Sequence, residues 1–211
     1  MNLHEHETEF ERAAADPANL RVDLPPIDVN AVLAAHYDLD EPLEFTRTML
    51  WDMELRKARR PDLYLPGGVA PGSARTWTTP ALEATGDDVF VRVSEQRNLE
   101  DPTDSGPVIE QVGIDHEART VTFIGTAEHV GPDGGVLRAA EGRSLFHVEH
   151  GAGGTESRPL NTMRWVFLAP EDRDGTEARL RGIIGQPARL PEFIEIYIRD
   201  VLGVGLRRRA A

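Results

Sequence analysis

The sequence contains no cysteine, which excludes disulfide bonds and zinc sites built on thiolates. It also lacks any apolar run that approaches the roughly 20 residues of a transmembrane helix. Positive charge is scarce, because 23 basic side chains stand against 36 acidic ones and give a formal net charge of −13. That balance opposes non-specific binding to nucleic acid or to anionic membranes.

The beginning of the chain does not read as a secretory signal, because the acidic stretch from Met1 to Asp16 has no apolar core segment. A soluble cytoplasmic protein is therefore the default expectation. With 211 residues, 40% of them apolar, the chain is long enough for one large domain with a real core. We predict a ligand-binding domain at 28–206, preceded by a peripheral arm at 1–27 and followed by a solvated basic tail at 207–211. The arm could be mobile, because chain termini are often poorly ordered.

The clearest helical pattern lies at 45–60. Thr46 is suited to be its N-cap, apolar side chains recur after it with helical spacing, and Pro61 ends it. Basic side chains crowd the C-terminal end, where cations favour the helix dipole. These side chains are Arg56, Lys57, Arg59 and Arg60.

From residue 75 onward the period of the apolar residues changes from 3.6 to 2, which is typical of strands. Short turns separate the alternating segments, so the pattern predicts an antiparallel meander. A strongly apolar helix at 191–202 follows and must lie against something large, for which the sheet is the obvious partner. The predicted strands are 75–79, 89–97, 107–114, 120–129, 144–150 and 160–168.

Residues 43–67 resemble a group within the START-like superfamily, also called SRPBCC or Bet v 1-like. In that group a Thr-Arg, a Trp, a Lys-Ala-Arg-x-Pro and an aromatic-x-Pro-Gly mark the helices that cross the sheet. The order of the later strands and the last helix extends the resemblance over most of the chain. The residues that carry it are Thr46-Arg47, Trp51, Lys57-Ala58-Arg59, Pro61, Tyr64 and Pro66-Gly67.

This resemblance implies an α+β fold in which N-terminal helices and a long C-terminal helix enclose a hydrophobic cavity on a curved antiparallel sheet of about six or seven strands. This is the helix-grip arrangement, and the NTF2-like cone is the alternative. The strong C-terminal helix favours the helix-grip. Members of the superfamily bind lipids, polyketides, hormones or other hydrophobic molecules, and some are cyclases or aromatases. They share no catalytic set, so the resemblance assigns no catalytic residue.

Polar side chains on two predicted strands are the candidate catalytic groups. His150 shares a strand face with Phe146 and could move a proton near neutral pH. Glu95 could take a proton, and Arg97 on the same face could hold an oxyanion. Exposed strand ends are the competing interpretation for each of them. His147 points to the face opposite His150, so a metal site is not predicted.

The predicted ligand wall combines aromatic side chains with one carboxylate on an apolar strand. For the aromatic residues, packing in the core is the competing role. No nucleotide fingerprint or phosphate loop is present, and we expect no cofactor and no metal. The predicted ligand-binding residues are Trp51, Trp77, Glu110, Phe146, Trp165 and Tyr197.

Three functions are open at this point. The first is a cofactor-independent cyclase, dehydratase or isomerase acting on an aromatic or polyketide-like molecule. The second is a non-catalytic carrier with the same cavity. The third is an interaction protein whose interior is filled by side chains, which a structure without a pocket above roughly 300 Å³ would favour. The expected partner is a hydrophobic small molecule, without nucleic acid or membrane insertion, and a homodimer is compatible with the polar outer strand faces.

Overall fold

The alternating segments form one large antiparallel sheet in the computed structural model, which describes residues 1–99, 101, 103–184, 186 and 188–209. The strands are β1 (Leu20–Asp23), β2 (Ile27–Asp28), β3 (Tyr37–Leu39), β4 (Arg75–Trp77), β5 (Asp88–Arg97), β6 (Ser105–Asp115), β7 (Thr120–Thr126), β8 (Glu128–Val130), β9 (Val136–Arg138), β10 (Phe146–Gly154), β11 (Pro159–Phe167) and β12 (Leu206–Arg208).

Helices precede and follow this meander and lie on both faces of the sheet, and one short helix lies between β4 and β5. They are α1 (Leu3–Ala15), α2 (Val29–His36), α3 (Arg47–Arg59), α4 (Pro61–Tyr64), α5 (Pro80–Glu83), α6 (Arg173–Ile184) and α7 (Glu192–Ile196). A π-helical turn, Tyr197–Val201, continues α7. The predicted N-cap of α3 is confirmed, because Thr46 accepts a hydrogen bond from the backbone N–H of Met49 at 3.1 Å. No helix in the described part of the chain is long and apolar enough to cross a membrane.

The main sheet is curved and runs in the order β1–β11–β10–β7–β6–β5–β4, with β2 paired to β11 at one end. All of these pairs are antiparallel, which confirms the predicted α+β fold with a meander. Two short ribbons, β3 with β12 and β8 with β9, lie outside it.

The two faces of the sheet pack against different helices. The inner face, which carries Val148, contacts α3 and α7 and contributes to the main hydrophobic core. The outer face carries Ile124 and Val166, which pack against Phe10 and Ala13 of α1. Because side chains alternate along a strand, each strand of the central sheet supplies both layers.

Residues 1–27 correct the predicted peripheral arm, because they build part of the sheet and its cover. In α1, Phe10 and Ala13 are three residues apart, share one side of the helix and are buried against the outer face. Asn2 and Glu5 form a capping box at its start. The strand β1 then pairs with β11 along its whole length.

The C-terminal basic segment is also more ordered than the solvated tail that the sequence predicts. Leu206–Arg208 form β12, which pairs with β3. Arg208 lies 2.8 Å from a carboxylate oxygen of Glu195, and Arg209 lies 2.9 Å from Asp38. These acidic partners explain why the segment is held, and residues 210 and 211 lie outside the described residues.

Strand β10 extends further than the sequence predicts. The glycine-rich run at 151–154 reads as the start of a loop, yet it continues the pairing with β11 as far as Gly154 opposite Pro159. Glycine is needed at Gly151, because a Cβ there would lie 2.5 Å from the hydroxyl oxygen of Thr162. Pairing with the neighbouring strand therefore overrides the local turn propensity.

Candidate functional site on the inner face

Helix α3 brings two charged side chains into the core. Leu50, Met53, Glu54 and Lys57 follow the i, i+3, i+4, i+7 spacing of one helix face. That face packs against the inner side of the sheet, so its charged members are buried with its apolar ones. Glu54 has no exposed surface and Lys57 is 2% exposed.

The charged pair meets polar side chains from β10 and β11. The ammonium nitrogen of Lys57 lies 2.6 Å from Oε2 of Glu54 and 2.7 Å from Nδ1 of His150. It also lies 3.8 Å from the centre of the Phe193 ring, a cation–π contact. Asn161 donates through Nδ2 to the other oxygen of Glu54 at 3.0 Å. Glu54, Lys57, His150 and Asn161 are called the inner-face polar cluster below.

The electrostatics of the cluster favour one charged pair and a neutral imidazole. Burial disfavours the ionised form of Glu54, but the positive charge of Lys57, with a smaller contribution from His150, outweighs burial and holds its pKa at about 2. Burial lowers the pKa of His150, and the positive charge of Lys57 lowers it further. Burial also lowers the pKa of Lys57, against the attraction of the Glu54 carboxylate.

His150 is the most accessible of the three titratable groups. Its side chain is 9% exposed, against 3% for Lys57 and none for Glu54. Its ring also stands edge-on to Phe123 at 5.9 Å between centres. A molecule that reaches the cluster would therefore meet the imidazole first.

A second buried ion pair lies beside the cluster and accounts for Glu110. Arg92 on β5 lies 2.6 Å from Glu110 on β6, and the two residues are direct partners across the strands. Arg92 also donates to the backbone oxygen of Ala58 at 2.8 Å, in the last turn of α3. Glu110, a predicted ligand contact, is thus engaged in a pair that fixes α3 to the sheet.

An aromatic wall lies further along β10 on the same face. Phe146 and Trp165 have ring centres 5.4 Å apart, and Trp165 stacks on Phe167 at 5.7 Å. Phe146 and Phe167 line a cavity of about 50 Å³ together with Leu99 and Arg143. Phe146 is four residues from His150, roughly 13 Å along an extended strand. The predicted contacts Phe146 and Trp165 thus share the inner face with His150.

Glu95 and Arg97 lie on the other face of the sheet, which corrects their predicted grouping with His150. They alternate with Arg92, which faces inward, and continue the outward face of Val91 and Val93. Both charged side chains are exposed. The residues are in the predicted strand, but the sequence could not tell which face would be covered by α3.

The strand register also places Glu95 far from His150 along the sheet. His150 pairs with Val121, which pairs with Ile114, which pairs with Asp88 at the start of β5. Glu95 is seven residues further along β5, roughly 23 Å at the rise of a strand. Neither Glu95 nor Arg97 can reach a molecule held at His150.

The remaining predicted aromatic residues divide between the two faces. Trp51 is a buried residue of α3, with its ring edge-on to His116. Tyr197 is buried on the inner side, donates from its hydroxyl to Asp52 at 2.8 Å, and has a pKa raised by burial. Trp77 packs with Val91 on the outer side, which corrects its predicted place in the ligand wall.

The sequence reasoning missed Glu54, Lys57, Asn161 and Arg92. Lys57 was predicted only to be one of the cations at the C-terminal end of the helix. A signal was present, because positions 54 and 57 continue the apolar series that begins at Leu50. Charged residues within an apolar stripe are a reason to expect a buried pair.

The sequence matches no protein-family model and no curated protein. Among solved structures, the Zhui aromatase/cyclase from Streptomyces sp. R1128 is similar with a TM-score of 0.52, at 10% identity over 87% of this chain and 96% of that chain. Ara h 8.0201 has a TM-score of 0.46 at 11% identity, over 80% of this chain and 98% of that chain. Norcoclaurine synthase from Thalictrum flavum has a TM-score of 0.45 at 12% identity, over 88% of this chain and 87% of that chain.

The chain has a helix-grip fold, with helices packed on a large antiparallel sheet. The likeness to the aromatase/cyclase carries this statement, and it confirms the predicted fold class over the NTF2-like cone. At 10% identity it shows the fold alone, so no residue role or substrate passes from that enzyme to this chain. Membership of the START-like superfamily, and of the narrower group suggested by residues 43–67, stays a prediction.

Proposed function

We propose that the protein binds a hydrophobic small molecule on the inner face of the helix-grip fold and transfers a proton through His150. The reaction would be a cofactor-independent cyclisation, dehydration or isomerisation. The observation that carries the proposal is the inner-face polar cluster itself. A buried ion pair is costly to desolvate and adds little stability over apolar packing, whereas titratable groups with shifted pKa values cluster at functional sites.

The aromatic wall supports a hydrophobic substrate, with an aromatic or polyketide-like skeleton. Phe146 and Trp165 keep part of their surface exposed on the inner face. Aromatic rings supply large apolar contact areas with defined stacking geometry. Arg143, which also lines the cavity, supplies one polar contact at its edge.

Dehydration of an aromatic β-hydroxy ketone is a direct test of the proposed chemistry. Loss of water gives benzylideneacetone, whose conjugation makes the product visible by ultraviolet absorbance. We expect turnover by the wild-type protein and a loss of about a hundredfold in His150→Gln, a size typical of removing an acid–base group. His147→Gln is the matched control, because it makes the same change on the same strand but on the outer face. Equal turnover in the two variants would refute the role of His150.

A second candidate, a non-catalytic carrier, is favoured by one observation. The cavity of about 50 Å³ is lined by Phe146 and Phe167 rather than by His150. Tryptophan fluorescence during titration with the same ketone separates the two functions. Binding with the ketone recovered unchanged would establish the carrier. Absence of binding would leave the interaction protein with a filled interior, since the cavity is smaller than the roughly 300 Å³ of a typical ligand site.

A further inference from the structure

The contacts of Lys57 determine where His150 carries its hydrogen. A charged lysine has three N–H donors and no acceptor. Its nitrogen lies 2.7 Å from Nδ1 of His150, so that ring nitrogen must present a lone pair. A neutral imidazole carries one hydrogen, which must then be on Nε2.

The opposite arrangement, a neutral amine and an imidazolium, fits the distances less well. Oε2 of Glu54 lies 2.6 Å from the nitrogen of Lys57 but 3.6 Å from Nδ1 of His150. The negative charge is therefore nearest to the lysine. Coulomb attraction in a poorly solvated interior favours the proton on Lys57. Asn161 donates to the other oxygen of Glu54 and helps to fix the carboxylate in this position.

We infer that Lys57 is a positioning residue that holds His150 as its Nε2–H tautomer, so that the inner face offers a hydrogen-bond donor to an acceptor oxygen of the ligand. This rests on the proposed function, and it narrows the ligand class to hydrophobic molecules with a carbonyl or a hydroxyl oxygen. A group that can only donate hydrogen bonds would face the Nε2–H without a partner, which is unfavourable in a buried site.

The same contacts provide a route for a proton. A neutral imidazole is a weak acid by itself, but Lys57 can replace the hydrogen that the ring gives up. In one transfer the Nζ–H bond of Lys57 breaks as Nδ1–H forms, and Nε2–H breaks as O–H forms on the ligand. Lys57 is left as a neutral amine beside Glu54, His150 is again neutral, and the ligand oxygen has gained the proton. Burial, which lowers the pKa of Lys57, makes it a better proton donor.

The first test measures the tautomer by NMR of protein with ¹⁵N-labelled histidine, with the His150 signals assigned by their loss in His150→Gln. We expect an unprotonated Nδ1 and a protonated Nε2 in the wild type. In Lys57→Met the Nδ1 should become protonated toward Glu54. Arg56→Met, which removes an exposed cation next in the sequence, should leave the signals unchanged.

If Lys57→Met does not fold, a second variant completes this test. Glu54→Gln combined with Lys57→Met removes both buried charges and should fold, with His150 as a mixture of tautomers. A protonated Nδ1 in the wild type, or unchanged signals in every folded variant that lacks Lys57, would overturn the inference.

The second test compares two ligands of similar size, naphthyl methyl ketone and ethylnaphthalene, by tryptophan fluorescence. We expect the ketone to bind about tenfold more tightly, the size of one buried hydrogen bond, and the preference to vanish in His150→Phe. Equal affinities in the wild type would overturn the inference while leaving the proposed function in place. If neither compound binds, the proposed function fails and the inference fails with it.

Discussion

His147 and His150 are three residues apart on β10, yet they belong to opposite layers of the molecule. His147 faces α1, accepts a hydrogen bond from the backbone N–H of Gly125 at 3.2 Å, and places Nε2 3.7 Å from Glu9. His150 faces α3, and its Nδ1 lies 2.7 Å from the ammonium nitrogen of Lys57.

The two histidines differ in how far their charged partners are buried. His147 is held by the backbone, and its carboxylate neighbour Glu9 is 28% exposed, so charge there remains in contact with water. His150 is held by a lysine–glutamate pair that is almost completely withdrawn from water. Apolar side chains of similar volume often replace such a buried pair without loss of stability, which is why we propose a chemical role for the pair on the inner face.

The largest expected effect follows from breaking the inner ion pair. Lys57→Met leaves Glu54 buried without its cation and should lower the free energy of unfolding by about 3–5 kcal/mol, measured by urea denaturation. Arg56→Met removes an exposed partner of Asp52 and should cost less than about 1 kcal/mol. Equal losses of unfolding free energy in the two variants would show that burial gives the inner pair no larger effect on stability than the exposed pair.

A smaller effect should appear on the outer face when the pH falls. Burial lowers the pKa of both His6 and His147, so the folded protein binds fewer protons than the unfolded chain. Their contribution to stability is complete above the unfolded pKa of about 6.5 and is lost as the pH falls below it. The free energy of unfolding, measured between about pH 7.5 and pH 5, should decrease with acidity.

The contribution of the outer face to this decrease in the free energy of unfolding can be measured separately. His150 titrates in the same direction because its pKa is also lowered. The double variant His6→Gln/His147→Gln removes one histidine on α1 and one that faces it. The protection of the α1 amides, relative to their intrinsic exchange rates at each pH, should then no longer decrease as the pH falls. Glu54, with a pKa of about 2, contributes stability that is lost only below about pH 4.5. If acidification lowers the protection of α1 equally in the wild type and in the double variant, this assignment is wrong.

The smallest effect is expected for the charged residues at the far end of β5. Glu95→Gln and Arg97→Gln change exposed side chains on the outer face, so each should alter stability by less than about 0.5 kcal/mol. Turnover of the β-hydroxy ketone should stay at the wild-type rate. A tenfold loss of turnover in either variant would indicate a catalytic site on the outer face and contradict the role given to the inner face.

The sequence predicted the order of the elements because alternation and helical spacing are local properties. His150 was placed on the same strand face as Phe146, and the structure confirms that shared face. Which face α3 would cover depends on how the chain folds back on itself. For that reason Glu95, on the opposite face of β5, was grouped wrongly with His150.

The charged pair in α3 shows a second limit of local patterns. Lys57 lies among several cations near a helix end, which is typical of exposed side chains. Its burial follows from the sheet partner of α3, and from Asn161 and His150 on two strands far away in the sequence. The arm at 1–27 was misjudged for a similar reason, since Phe10 has its apolar partners only on the assembled sheet.

The most direct test of the central claim compares the two histidines in one spectrum. Naphthyl methyl ketone is added to protein with ¹⁵N-labelled histidine, and the Nε2 signals of His147 and His150 are followed. The account predicts that the His150 signal moves with saturable dependence on ketone concentration, while the His147 signal stays in place. Movement of His147 with a stationary His150 would contradict a ligand site on the inner face.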